Sequence, residues 1–287
     1  ILCLLFWQYT ALAQVERILN YETQIEVEPS RAIVVTEFIE VYVAGDVIKR
    51  GITRNLPTKR YLKDRLVTLK YEILEVEKDG VQEPYRTESS GDLMLYMGSK
   101  NVFLTPGIYK YKIKYRVPNQ VAFYDDFDEI YWNAIGHDIQ FDVEKVSTSI
   151  RLPEGAKVIQ KSAYLGYQGQ RKQEEQEYTF SEEGGVLFYD LTRSLRPNEG
   201  FTIGIGFEKG LVSEPSIFNR YGTLIVIIIG VFFLLPYYVS TWWRFGQDPA
   251  TPASYPLWDS PDGLSAASIN YIQKGSYQNK SFSASVI

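Results

Sequence analysis

The side chains here that could do chemistry by proximity along the chain are carboxylates. Asp125, Asp126, Asp128 and Glu129 fall within five consecutive positions and run into Tyr131-Trp132-Asn133. Hard oxygen ligands of this kind suit Ca²⁺, so the four are a candidate calcium set. Their spacing follows no EF-hand loop, however, and an acidic loop is ordinarily just solvated. Two of them could instead serve as acid and base in a hydrolase centred on residues 125–138. That reading needs carboxylates facing each other across a cleft, which spacing along a loop does not supply. His137 is the sole histidine, which all but excludes a His-based triad or a multi-His zinc site. Alone beside Asp138 it reads as a loop or core residue. No GxSxG, P-loop or dinucleotide fingerprint is present. We therefore expect no enzyme, no catalytic residue and no cofactor.

Glu37 is the more informative acid. In Ile33-Val34-Val35-Thr36-Glu37-Phe38-Ile39-Glu40-Val41, strand alternation puts it on the same face as Ile33, Val35, Ile39 and Val41. A carboxylate on an apolar face is costly unless paired. Arg54, in Gly51-Ile52-Thr53-Arg54-Asn55-Leu56-Pro57, is a plausible partner. We expect a partly buried Glu37–Arg54 pair with a structural role, positioning a loop over residues 51–57. The aromatics Phe123-Tyr124 and Tyr131-Trp132 could offer a surface to a partner or a carbohydrate, although such pairs more commonly belong to a core.

What must hold these groups in place is β structure. Tyr109, Tyr111, Ile113, Tyr115 and Val117 alternate with Lys110, Lys112, Lys114 and Arg116. This gives one core face and one cationic face in water. Phe201, Ile203, Ile205 and Phe207 alternate in the same way, as do Val146, Thr148, Ile150 and Leu152. Further strands are expected near 21–28, 31–43, 65–77, 93–97, 156–164, 175–180 and 185–190, separated by turns such as Asp79-Gly80 and Glu183-Gly184-Gly185. No helical period runs through residues 14–213. The class expected is all-β, an immunoglobulin-like β-sandwich over residues 14–213, in two lobes with a boundary near 120–140.

Two apolar segments place this domain. ILCLLFWQYTALAQ reads as a signal peptide over residues 1–13, lacking its charged start. Ala11-Leu12-Ala13 marks cleavage between Ala13 and Gln14. The one cysteine, Cys3, would leave with it, so disulfides and thiol chemistry drop out of the mature chain. Residues 221–243 carry no charge. A helix of that length spans ~35 Å at ~1.5 Å per residue, enough for a ~30 Å hydrocarbon core. Its Leu, Ile, Val and Phe side chains favour insertion by ~3–7 kcal/mol. Tyr221 at one end and Tyr237, Tyr238, Trp242 and Trp243 at the other form interfacial belts. If the leader directs export, residues 14–220 are extracytoplasmic and residues 244–287 cytoplasmic. The latter open with a linker over 246–263 and a short helix from Ser265 to Gly275. A second helix near Ser281 breaks off, and the start at Ile1 has no Met, so a piece of a longer protein is expected at both ends. The formal net charge of −5 gives no basic field for nucleic acid.

Several motifs in order resemble the domain of unknown function 2207 family. They are Val35-Thr36-Glu37, Gly51-Ile52-Thr53-Arg54-Asn55-Leu56-Pro57 and Tyr109-Lys110-Tyr111-Lys112-Ile113-Lys114-Tyr115. Then come Asp128-Glu129-Ile130-Tyr131-Trp132-Asn133-Ala134-Ile135-Gly136, Val143-Glu144-Lys145 and Arg151-Leu152-Pro153-Glu154-Gly155. Trp243-Arg244-Phe245-Gly246-Gln247-Asp248-Pro249 and Pro261-Asp262-Gly263-Leu264-Ser265 follow. The resemblance implies a bacterial membrane protein with a leader, an exported β-rich domain, a membrane helix, a cytoplasmic segment and further membrane helices. It implies no activity. The function expected is a binding or interaction module of the cell envelope, held in the bilayer by residues 221–243, with an envelope protein or polysaccharide as partner. The alternatives are the hydrolase centred on 125–138 and a transmembrane signal relay.

Overall fold

The computed structural model describes residues 15–62, 65–169, 177–246, 250, 253, 263–276 and 279. The expected leader, with its expected cleavage between Ala13 and Gln14, and the helix expected to start near Ser281 lie outside these. The described chain is mainly β and divides into two compact units, Ile1–Ser216 and Ile217–Ile287.

The strands of the first unit are, in order, β1 (Arg17–Val27), β2 (Ile33–Val43), β3 (Ile52–Leu56), β4 (Lys59–Leu62), β5 (Arg65–Thr68), β6 (Glu72–Lys78), β7 (Val81–Gln82), β8 (Tyr85–Ser90) and β9 (Asp92–Met97). They continue as β10 (Gly107–Val117), β11 (Val121–Phe123), β12 (Asp128–Ile135), β13 (Val146–Arg151), β14 (Val158–Tyr167), β15 (Tyr178–Glu183), β16 (Val186–Leu191) and β17 (Glu199–Phe207). An eight-stranded sheet runs β15-β16-β13-β1-β2-β10-β6-β7. A four-stranded sheet runs β11-β12-β17-β14, a three-stranded one β3-β9-β8, and β4-β5 stands as a pair. β1 and β13 pair in parallel, and every other pairing of these strands is antiparallel.

Period two explains the long strands. β2 alternates buried and half-buried residues along its whole length, with Ile33, Val35, Glu37, Ile39, Val41 and Val43 inward. In β17 both faces are covered. Phe201, Ile203, Ile205 and Phe207 fill one, and on the other Gly204 and Gly206 let Ser162 and Gln160 lean across the strand. A Cβ at those glycines would meet Ser162 Oγ at 2.5 Å and Gln160 Cγ at 2.6 Å. Asp79 and Gly80 both take positive φ (53° and 78°), the mirror-image turn that joins β6 to β7 without splaying them. One contiguous core draws on three sheets: Tyr21, Ile25, Ile113 and Tyr115 from the largest, Ile130, Ile203 and Phe207 from the four-stranded, and Leu56, Leu95 and Met97 from β3 and β9.

Three expectations are corrected. The lobe boundary near 120–140 does not divide the unit, because β1, β2 and β10 before it and β13, β15 and β16 after it belong to one sheet. Residues 51–57 are mostly strand β3, paired with β9, and not a loop. The stretch expected as one strand over 65–77 is two, since Leu69 N turns back to Thr58 O (2.7 Å) and closes the β4–β5 pair.

In the second unit α1 (Ile217–Phe245) runs for 29 residues through Pro236. Within its segment Tyr221–Phe245 the most apolar 18-residue window has a mean hydropathy of 2.3 and is not buried at all, so by length and composition the helix can cross a membrane. The helix α2 (Ala266–Lys274) begins where Ser265 Oγ accepts the Ser268 N–H and ends at Gly275 in the left-handed region.

Candidate functional site

The inward face of β2 carries Glu37, 1% exposed. Its cross-strand neighbours are Thr23 on β1 and Ile113 on β10. Two residues along each of those strands, Tyr21 and Tyr115 flank the carboxylate diagonally. Tyr21 Oη donates to Glu37 Oε2 (2.6 Å) and Tyr115 Oη to Oε1 (2.7 Å). Arg54, projecting from β3, closes the ring. Its Nε donates to Oε2 (2.9 Å) and its Nη2 to Oε1 (3.2 Å), the two-pronged geometry that suits guanidinium to carboxylate. Each Glu37 oxygen thus takes two donors. Arg54 Nη1 then donates to Asp138 Oδ1 (3.1 Å) and to the Asn55 carbonyl (2.9 Å), and Asn55 N–H donates to Asp138 Oδ2 (3.3 Å).

These groups tune one another. Burial, then the Glu37 charge, holds the Tyr115 hydroxyl well above its ordinary pKa, so it stays a donor. Burial works against the Arg54 cation, but Glu37, with Tyr21 and Asp138 behind it, outweighs that and keeps it charged. Space at the corner is tight: a Cβ on Gly136 would stand 2.3 Å from Asp138 Oδ1 and 3.0 Å from Arg54 Nη1. A buried ion pair is weak evidence of net stabilisation, yet removing one partner is strongly destabilising. The network therefore fixes β3 against the large sheet.

Arg54, Asn55 and Asp138 form one side of a 530 Å³ cavity. Tyr61, Tyr71, Tyr131 and Trp132 supply aromatic walls, and Lys59, Arg60, Asp92 and Asn133 polar ones. Arg60 reaches in from β4. Its Nη2 donates to the Gln120 carbonyl (3.0 Å) and its Nη1 to that of Tyr131, with the guanidinium 5.6 Å from the centre of the Trp132 ring. Arg60 Nε is buried with no partner among the described residues, and burial pulls the group down to about 10. Asp92 accepts from Thr58 N–H (3.0 Å) and Asn55 Nδ2 (3.3 Å). His137 presses on β17, where a Cβ at Gly200 would stand 2.8 Å from its ring, and burial lowers its pKa. A second cavity of 400 Å³ shares Tyr131, Asn133 and His137 with the first, and a third of 350 Å³ shares Arg54, Asn55 and Asp138.

The acidic run is not assembled. Asp125 and Asp126 are exposed in the turn between β11 and β12, while Asp128 and Glu129 are consecutive strand residues and so face opposite ways. Asp128 is 1% exposed and lies 3.3 Å from Lys209 Nζ. Burial raises the pKa of half-buried Glu129, with Gln160 Nε2 at 3.5 Å. Among the described residues no group of three or more His, Cys, Asp and Glu is arranged to hold a metal ion, so the calcium set is corrected. The physical reason is the pleat, which separates neighbours that a loop would have let converge. Tyr21, Arg60 and Asp138 were not anticipated as members of a site. The readable signal for Tyr21 and Tyr115 was a hydroxyl on an apolar strand face, which needs a partner when buried.

Residues 17–207 match the family model described as "Predicted membrane protein (DUF2207) N-terminal domain". The chain is 30% identical over 138 residues to the uncharacterized protein YciQ of Escherichia coli, a stretch covering 47% of this chain and 22% of YciQ. Among solved structures, yeast LTA4 hydrolase aligns at a TM-score of 0.42 and 9% identity over 67% of this chain and 29% of its own. A zinc metallopeptidase from Deinococcus radiodurans aligns at 0.38 and 10% over 66% and 42%. At these scores nothing of those enzymes' chemistry is carried to this chain.

Proposed function

The chain belongs to the DUF2207 family of predicted membrane proteins, and on that premise we propose that it is a membrane-anchored binding module of the cell envelope. In this reading α1 is the anchor, residues 14–220 stand outside the cytoplasm as an immunoglobulin-like sandwich, and residues 244–287 lie inside. The ligand occupies the 530 Å³ cavity. The observation that carries the reading is that this cavity has preorganised sides: Arg54 and Asp138 are locked by the Glu37 network, and tyrosines and Trp132 stand around them. Concave, partly aromatic sites with a few fixed polar groups are how small ligands are held. Binding is favoured over hydrolysis because the nearby carboxylates are engaged. Glu37 spends both oxygens on four donors and Asp92 both on two, leaving neither poised to move a proton.

The test is site-directed photo-crosslinking of the full chain in intact cells. A diazirine amino acid replacing Tyr61, 71% exposed on the cavity wall, should give a discrete adduct. The same residue replacing Leu74, 52% exposed on β6 and outside the cavity, should give none. Equal labelling at both positions, or none at 61, defeats the reading. Topology is checked separately: Asp126→Cys should react with a membrane-impermeant maleimide on intact spheroplasts, and reaction only after lysis inverts the orientation.

A further inference from the structure

Three residues, Tyr131, Asn133 and His137, line both the 530 Å³ cavity and the 400 Å³ one. The two therefore adjoin along β12. Each falls in the range of roughly 300–1,000 Å³ typical of small-molecule sites, so a ligand lying through both must be elongated. Exposed tyrosines mark the run: Tyr61 (71% exposed) in the first cavity, Tyr131 (40%) at the junction and Tyr167 (41%) in the second. The Tyr164 ring stands 6.2 Å from that of Tyr131.

From this we infer that the two cavities form one site for an uncharged oligosaccharide of at least two sugar units, crossing at Tyr131. The inference rests on the binding reading above and names its ligand class. A tyrosine offers a flat apolar face with a polar tip, which matches the C–H face and hydroxyl rim of a pyranose. Two positions along β12 from Tyr131, and so on the same strand face, is the planar amide of Asn133. Asn133 Oδ1 accepts from Thr202 Oγ1 (2.8 Å), and its two amide hydrogens have no partner among the described residues. Charge is close to balanced: Arg54, Lys59 and Arg60 face Asp92 and Asp138, with Glu37 behind Arg54. Nothing there demands a charged polymer.

The experiment is calorimetric titration of the full chain in nanodiscs with β-1,4-linked N-acetylglucosamine and glucose oligomers of increasing length. Affinity should climb about tenfold from one unit to four as the second cavity fills, the scale of one or two aromatic contacts. Tyr131→Ala should weaken the tetramer about tenfold, and Tyr167→Ala should flatten the dependence on length. Tyr61→Ala, at a position too exposed to affect folding, should weaken it severalfold, and Leu74→Ala should change nothing. Affinity independent of length, or no binding of either series, overturns the assignment. A crosslinked adduct at position 61 that proves to be protein does the same while leaving the binding reading intact.

Discussion

Residues 125–129 hold four carboxylates in five positions, whereas Glu37 and Arg54 are 17 residues apart and Arg54 and Asp138 are 84 apart. The dense group is scattered by the fold: two members in a solvated turn, one buried on Lys209, one on the opposite strand face. The dispersed group is drawn into contact by the register of β1, β2 and β10 and by the approach of β3. Closeness along a strand sends side chains apart, while closeness across strands brings them together. Carboxylates that count in a β protein are found by register rather than by density.

That contrast can be broken. The largest effect is expected at Arg54→Ala, which leaves Glu37 buried without its cation and should cost about 3–5 kcal/mol. Denaturant unfolding of the full chain checks it, and a loss under about 1 kcal/mol would mean the network is not holding β3. The double variant Glu37→Gln with Arg54→Met should recover much of that loss, because no lone charge remains at the fully buried position 37, and Asp138, which is part exposed, keeps the Asn55 N–H. Next, Tyr115→Phe removes one charge-assisted donor and should cost about 1.5–3 kcal/mol by the same measurement. A neutral result would make Tyr115 a bystander.

Glu16 sharpens the comparison as a third kind of carboxylate, held by backbone alone. It accepts the N–H groups of Ala44, Gly45, Asp46, Val47 and Ile48. Burial raises its pKa, but those donors outweigh burial and leave it below the ordinary 4.5. The stability it contributes is therefore complete above pH 4.5 and is lost as pH falls through the lower folded value. Glu16→Gln should cost about 1–2 kcal/mol at pH 7. Its thermal midpoint should converge on that of the parent chain as the pH falls below 4.5, and parallel curves would refute the account. The smallest effect belongs to Asp125→Asn with Asp126→Asn, expected within about 0.5 kcal/mol. Millimolar Ca²⁺ should leave the midpoint unmoved, and a calcium-dependent rise would restore the dense cluster as a site.

How far the sequence reaches follows from the same physics. β2 and β10 were legible because the face turned to the core is buried and the other is only half-buried, so hydropathy alternates; β17, covered on both faces, was legible because its large apolar residues alternate with Thr202, Gly204 and Gly206. The uncharged run of α1 was legible for a related reason: nothing in it needs water. Strand β8 is exposed at every position and carries no such signal, and β3 is short and flanked by Gly51 and Pro57. Glu37 stood out as an acid on an apolar face, and Arg54 as a nearby cation. Asp138 did not, because what brings it to Arg54 is the path of the chain after β12, a tertiary matter. The cavities were out of reach altogether. Their walls join β3, β4, β12 and β14, and the spacing of separate strands has no expression in local pattern.

The parallel pairing of β1 with β13 sets Tyr21 opposite Val146, and that has a consequence in time. A ribosome finishes the first of these strands long before it begins the second. Until then the hairpin of β1 and β2 waits with an open flank of unsatisfied amides. Non-local pairing of this kind makes for slow closure, and an unfilled flank invites another chain. Any truncation ahead of residue 146 should yield material that self-associates, however well its early strands are patterned.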